Sequence, residues 1–322
     1  MEKDTCTDRA VCPEKFKTMI GGQALIEGVY MRGPEKQAIV VRGPEGLVQK
    51  VEPVRKATGW KTWPIIRGVV GFGGSMISGV KALMYSAEFF PEEEEAQPSK
   101  FEKWLEEKLG SEKMEKAVIG FAVVLGILFS VGLFFVLPTF LGGLFDRLVH
   151  SAVLRSLVEG FIRIGLFLGY MVLVSQMKDM KRVFAYHGAE HKTIRCYEAQ
   201  LPLTVENARK MTRLHPRCGT SFLFVVMIVS ILVFSVVSAV FPVSNLLLRL
   251  VTRLALLPIV VGISYECNRY VGRHYNLFTK IMTAPGMWFQ NFTTNEPDDS
   301  MLEVAIESLK LVLPEEEGSD QW

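Results

Sequence analysis

Between Ala117 and Phe145 the chain runs for twenty-nine residues without a charged side chain, and no other feature restricts the fold as much. A bilayer hydrocarbon core of about 30 Å is crossed by about 20 residues of helix, so the part before Pro138 is already long enough to span. Cys218 to Leu248 is a second long uncharged run, with a helix expected from Ser221 to Phe241 and stopped by Pro242. Two weaker spans accompany these. Leu157 to Met177 is interrupted by Glu159 and Arg163, four apart and able to pair along one helix face, and Asn245 to Tyr265 carries Arg249 and Arg253 in its first half. Charges inside a span are costly unless paired or hydrated, so these four side chains are expected either to face one another within a bundle or, if both helices start later, to sit among the headgroups. A hydrophobic content of 49% agrees with a membrane protein rather than a soluble enzyme. The net charge of +2 and the lack of a stacking-aromatic motif argue against a nucleic-acid partner; the lipid bilayer is the expected one.

Lysine and arginine set the orientation. Nine of them fall in residues 178 to 220, between the second and third spans, against Arg147 and Arg155 before the second span and none between the third span and Arg249. Four spans with both termini in the cytoplasm fit this distribution. Residues 1–18 form a polar tail with no signal peptide, and Cys6 and Cys12, with five residues between them, lack the spacing of a zinc half-site. Residues 19–60 are β-rich, with strands at Lys36 to Arg42 and Leu47 to Val54 joined by a turn at Gly43 to Gly46. So small a unit must lean on another element. Glu27, in the apolar run Ala24 to Met31, is either a supporting or catalytic carboxylate or a solvent-facing edge residue.

Residues 61–90 read as a helix that is interfacial or re-entrant, because only thirteen uncharged residues separate Arg67 from Lys81. Its stripe of Gly71, Ser75 and Gly79 offers a close-packing face for a second copy or another protein. Residues 91–116 are an acidic linker, PEEEEAQPS at 91–99, and an amphipathic helix from Lys100 to Lys116. The transmembrane bundle takes 117–265 and a cytoplasmic segment 266–322. In that segment Trp288 and Phe289 suit an interface, Ser300 with Glu303 makes a capping box, and Leu302, Ala305, Ile306 and Leu309 form one apolar helix face in want of a partner surface. Glu315 to Trp322 reads as a frayed acidic end.

The loop at 178–220 holds the chemistry. His187 and His191 are four apart, so on a helix both imidazoles share a face one turn apart, and Glu190 lies between them. His-x-x-Glu-His is the inverted zincin pattern, in which two histidines hold zinc and the glutamate takes a proton from water. The same residues would also suit two helix histidines making ordinary hydrogen bonds. His215 and Cys218 precede the third span and Glu266 ends the fourth, which brings three more donors to one membrane level. Neutral imidazole completes a zinc shell without excess charge, so the third ligand is ranked His215, then Glu266, then Cys218. The expectation is Zn²⁺ or another divalent metal, a hydrolytic site with Glu190 as proton shuttle, and peptide bonds as the first substrate class to test. A noncatalytic membrane scaffold or assembly factor with a structural metal, and a transporter built on the intramembrane charges, are the alternatives.

GGQALIEGVYMRGP, AEHKTI with its flanking histidine, VENAR, HPRCGTSF and FTTNEPDDSMLEVAI, in that order, resemble the bacterial YqhQ-like membrane family, of unknown function and described as metal-dependent enzymes. The resemblance covers about residues 19 to 313. It implies a multi-pass protein of the bacterial cell membrane, with His187, Glu190, His191, Glu206, Asn207, His215 and Cys218 at family-like positions. The fold expected is therefore mainly α: a polytopic bundle of about four transmembrane helices, an interfacial or re-entrant helix, and a small β-rich cytoplasmic element.

Overall fold

The computed structural model describes residues 16–90, 111–144, 151–241, 243, 245–274, 276–316 and 318–322. Cys6, Cys12, the acidic linker, most of the Lys100–Lys116 helix and Pro242 lie outside the described residues. The chain divides into two compact units, one of Met1–Phe90, Tyr170–Ser230 and Leu256–Trp322, the other of Pro91–Gly169 and Ile231–Ala255. Neither is a continuous block of sequence.

The first unit opens with an antiparallel meander of β1 Gly21–Leu25, β2 Gly28–Arg32, β3 Lys36–Gly43 and β4 Gly46–Pro53, in that order across the sheet. Sequence pattern marked only the last two strands. Alternation sorts the side chains by face. Val29 lies opposite Val40 and Met31 opposite Ala38, all fully buried on one side, while Leu25 and Tyr30 are buried on the other. Glu27 sits in the β1–β2 turn with φ 50°, the left-handed conformation that a two-residue hairpin loop demands.

The helices that follow are α1 Ile66–Ala87, α2 Ser111–Val131, α3 Leu137–Leu144, α4 Ala152–Val174, α5 Lys178–Glu198, α6 Val205–Lys210, α7 Gly219–Val240, α8 Leu246–Arg273, α9 Leu277–Thr293 and α10 Asp299–Val312; a π turn at Gly132–Val136 joins α2 to α3. Among the described residues, four stretches are long and apolar enough to cross a membrane: Gly120–Leu144, Val153–Val174, Gly219–Val240 and Leu246–Arg273. These correspond to the four expected spans. Phe121, Ile127, Leu128 and Phe129 stand exposed along the first of them, an apolar surface consistent with contact to lipid.

The sheet does lean on helices. Val29, Met31, Ala38 and Val40 join Tyr186 and Ala189 of α5 and Leu302, Ala305, Ile306 and Leu309 of α10 in one core, and Leu25 and Tyr30 meet Ala82 of α1. Burying a leucine such as Leu302 or Leu309 stabilises by about 1.5–3 kcal/mol, which is why α10 wanted this partner. The capping of α10 differs from expectation: Asp298 is the N-cap, accepting from the Met301 amide at 3.0 Å. Aspartate is a strong cap; Ser300 donates to Asp298 and Glu303 pairs with Arg42 instead. The chain end is not frayed either. Gln321 bridges Thr18 and buried Asp320 accepts from the Met19 amide and from the Thr18 hydroxyl.

Helix α5 is distinct from α4: the chain turns at Ser175–Met177, and Met177 is the extended N-cap of α5. One further expectation needs correction. Phe289 is fully buried while Trp288 is 56% exposed, so only the tryptophan suits an interface. In the small-residue stripe of α1, Gly79 abuts Gln23 and Gly71 faces Tyr265, so at these positions close approach is to the chain's own elements.

In the second unit Glu159, Arg249 and Arg253 come together. Glu159, 1% exposed, is bonded by Arg249 at 3.1 Å and by Arg253, and Arg253 also donates to Thr139 Oγ1 at 2.6 Å. Arg163 donates to the Phe134 carbonyl at 2.8 Å and lies over the rings of Phe135 and Phe234. A Cβ on Gly142 would come within 2.2 Å of Glu159 Cγ. Glycine there is what lets the carboxylate pass α3.

Candidate metal centre

Helix α5 is amphipathic in an unusual sense, since its buried residues include Glu190, His191, Lys192 and Glu198. Its first half is fastened by Arg182, whose guanidinium grips both oxygens of Glu27, while the Tyr186 hydroxyl donates to Glu27 Oε2 at 3.1 Å. Glu27 is thus an anchor for the helix that carries the motif. Gly188 allows the segment after α9 to touch the helix: Asn295 N–H donates to Phe184 O at 2.8 Å, and a Cβ at 188 would meet Asn295 O at 2.0 Å.

The two histidines share a face, with ring centroids 4.3 Å apart. Each is oriented through Nδ1: His187 to the Thr293 carbonyl at 2.8 Å, His191 to the Arg213 carbonyl at 2.6 Å. A carbonyl only accepts, so Nδ1 carries the proton and Nε2 of the neutral ring is left as a lone-pair donor. Cys218, immediately before α7, supplies the third atom. Its Sγ is 3.2 Å from His187 Nε2, and the ligand atoms of His187, His191 and Cys218 all lie within 4.8 Å of one another. Nitrogen and sulfur on one tetrahedral zinc would be about 3.5 Å apart, given bonds of about 2.0 and 2.3 Å.

Electrostatics favour a neutral imidazole at His191 and lower the Cys218 thiol. Burial pushes His191 down to about 4, with the neighbouring histidines adding to the effect. Burial also works against a thiolate at Cys218, but the facing His191 imidazole and then the Thr220 hydroxyl and amide outweigh it, holding the thiol below its usual range. The Thr220 amide lies 3.4 Å from Sγ in the first turn of α7, where helix amides favour negative charge. Glu190 adjoins this group. Its Oε1 accepts from the Gly22 amide at 3.0 Å, and burial raises its carboxyl to about 7 although His187 and the Gly22 bond pull it down. Among the described residues, Glu190 Oε2 and His191 Nε2 are buried with no hydrogen-bond partner. Native proteins seldom leave such atoms unmet, and a divalent cation with its water would satisfy both, so the residues present fit a metal of the zinc type.

The remaining candidates are otherwise engaged, although the His215 ring lies only 5.5 Å from that of His191. His215, ranked first as third ligand, turns Nε2 to Glu198 Oε2 at 3.2 Å, and Glu198 is also held by Arg217 and the Thr18 amide. A buried carboxylate claims an imidazole more strongly than an open position does. Gln290 fixes His215 further, accepting from its amide at 2.7 Å and donating to its carbonyl at 2.8 Å. Glu266, ranked second, is taken by Arg67 and the Ile65 amide at the start of α1. Cys218, ranked last, is the one beside both histidines. Glu159 and Arg163 belong to the charge cluster of the second unit. Asn207 caps locally, donating to the Pro202 carbonyl at 2.9 Å, and Glu206 lies in the first turn of α6. Sequence reading missed Glu198, although it falls eleven residues after His187, three helical turns along the same face. The carbonyls of Arg213 and Thr293 have no sequence signal.

The chain matches the family described as "Protein of unknown function (DUF1385)" over residues 63–315. It is 36% identical over 318 residues to "Uncharacterized protein YqhQ" of Bacillus subtilis (strain 168), an alignment that covers 95% of this chain and 96% of that protein. No solved structure matches.

Proposed function

We propose, for a chain that belongs to the DUF1385 family, that it is a metal-dependent hydrolase of the bacterial cell membrane, with its site on the cytoplasmic face and peptide bonds as the first substrate class to test. The observation that carries this reading is the convergence of His187, His191 and Cys218 beside a buried glutamate oxygen that has no other partner. A divalent cation held by these three side chains would supply Lewis-acid activation of water. The chain's own contributions follow from its geometry. The Thr293 and Arg213 carbonyls fix both rings with Nε2 inward, the kind of outer support that typically matters 10–100-fold for metal affinity. The Gly22 amide holds Glu190 Oε1, leaving Oε2 to take a proton from the attacking water and return it to the leaving group. A carboxyl that titrates at about 7 can do both near neutrality.

The test is metal content and turnover of detergent-purified protein. Wild type and Glu190→Gln should carry equal metal with turnover lost in the variant, whereas His187→Ala and Cys218→Ser should lose metal. Equal stoichiometry in wild type and His187→Ala would remove the metal centre. A second reading, a noncatalytic scaffold whose metal ties helices together, is favoured by the near-complete burial of His191 and Cys218, since structural sites are closed. It predicts that Glu190→Gln is silent in cells while the histidine changes destabilise.

A further inference from the structure

We propose that the outer edge of β1 is a docking strand for an extended polypeptide, which would add to the sheet beside Glu190 and make a peptide segment the ligand of this site. The inference rests on the hydrolase reading for what happens to the segment afterwards, and not for its binding.

The hydrogen-bonding phase of β1 follows from its neighbours. The Arg42 amide donates to Glu27 O and the Gly33 amide to Lys36 O, so residues 27, 29, 31 and 33 turn their backbone towards β3. By alternation Gly28, Tyr30 and Arg32 turn theirs towards β1, where they pair with Leu25, Gln23 and Gly21. Gly22 and Ala24 therefore point away from the sheet. The Gly22 amide, bonded to Glu190, agrees with that phase. Among the described residues, the amide and carbonyl of Ala24 and the carbonyl of Gly22 meet no hydrogen-bond partner.

Unpaired groups along a sheet edge are a template for another strand. Here the template is short and bounded. Upstream, residues 17–19 already bond the chain's own residues 320–322. At Gly22 the only donor is committed to Glu190, so an added antiparallel strand makes its full pair of bonds at Ala24 alone. Two residues further, about 6.8 Å along the strand, its backbone comes opposite Glu190. Glu190 is 4% exposed, and among the described residues its Oε2 has no hydrogen-bond partner. Glycine at 22 is required for β1 to sit this close to β2 and Glu190, because a Cβ would come within 2.3 Å of Tyr30 O and 3.2 Å of Glu190 Cδ.

Ala24→Pro deletes the outward amide without touching a bond to β2, and proline is tolerated at such edge positions. Val51→Pro makes the equivalent change on β4, where 47, 49 and 51 face outwards by the same alternation. Full-length protein in detergent, carrying Glu190→Gln to prevent turnover, is titrated with fluorescein-labelled, dephosphorylated β-casein and followed by fluorescence anisotropy. Ala24→Pro should weaken binding about fivefold to tenfold, as loss of one hydrogen bond would, and Val51→Pro should leave it unchanged. Equal binding by Ala24→Pro and its parent overturns the proposal. If Ala24→Pro does not fold, amide hydrogen exchange at Ala24 in the parent decides: slowing by casein supports the edge and unaltered exchange overturns it. Metal content is read separately, so a chain that binds casein at Ala24 without metal removes the hydrolase reading and leaves the docking strand standing.

Discussion

Gly188→Ala measures how tightly the histidine helix is clasped. The new Cβ would stand 2.0 Å from the Asn295 carbonyl oxygen, where ordinary contact begins at 3.4 Å, so the 295–297 segment must retreat by about 1.4 Å (3.4 − 2.0). The Asn295 amide bond to Phe184 O, now 2.8 Å, does not survive such a shift. Nor does the side-chain bond from Asn295 Nδ2 to Lys181 O, at 2.9 Å, keep its geometry. Two hydrogen bonds at about 1 kcal/mol each, with about 1–2 kcal/mol of repacking, oppose a gain of about 1 kcal/mol from alanine in a helix. The net is a loss of about 2–3 kcal/mol. Because Thr293 O orients His187, metal affinity should fall together with stability. The assay is unfolding free energy by denaturant titration in detergent, with Gly74→Ala as a control, since nothing lies within 4 Å of a Cβ there. A Gly188→Ala protein as stable as Gly74→Ala would refute the reasoning.

In metal-free protein, burial raises Glu190 from 4.5 to about 7 and lowers His191 from 6.5 to about 4. The first contribution is lost as pH rises from 4.5 to 7 and the second as pH falls from 6.5 to 4, so they oppose each other; Glu190→Gln should unmask stability that climbs between pH 5 and 6.5 in chelator, and identical pH slopes in both proteins would count against it. In the second unit, Glu159→Gln leaves Arg249 and Arg253 buried without their shared carboxylate, a change expected to cost about 3–5 kcal/mol; an unchanged unfolding midpoint would contradict the cluster. Reporters fused after Lys178 or after Glu296 should read cytoplasm and one near Ser151 the outside, and an external signal at 178 would reverse the proposed orientation.

What the sequence made legible was governed by local rules, and what it hid was governed by competition among partners. The apolar runs and the α10 face were readable because length and a 3.6-residue period decide burial without reference to the rest of the chain. The shared face of His187 and His191 was readable for the same reason. The choice among His215, Glu266 and Cys218 was not, because ligand chemistry alone ranks them in the reverse of their availability. Glu266 has Arg67 within reach, and His215 has Glu198, so each of the better-ranked donors is taken by a nearer charge. Among the described residues Cys218 meets Thr220 and the two histidines. The same competition explains Glu27, which looked costly in an apolar strand until Arg182 and Tyr186 met it. It also bears on Glu190. Among the four carboxylates singled out, Glu27, Glu159 and Glu266 are each bonded by an arginine, whereas Glu190 accepts a single backbone amide. A chain that neutralises the others and leaves this one buried beside two imidazoles and a thiol holds in reserve a group whose charge is not spent on the fold. That difference in partners, more than the His-x-x-Glu-His spelling, is what marks Glu190 as the residue to test first.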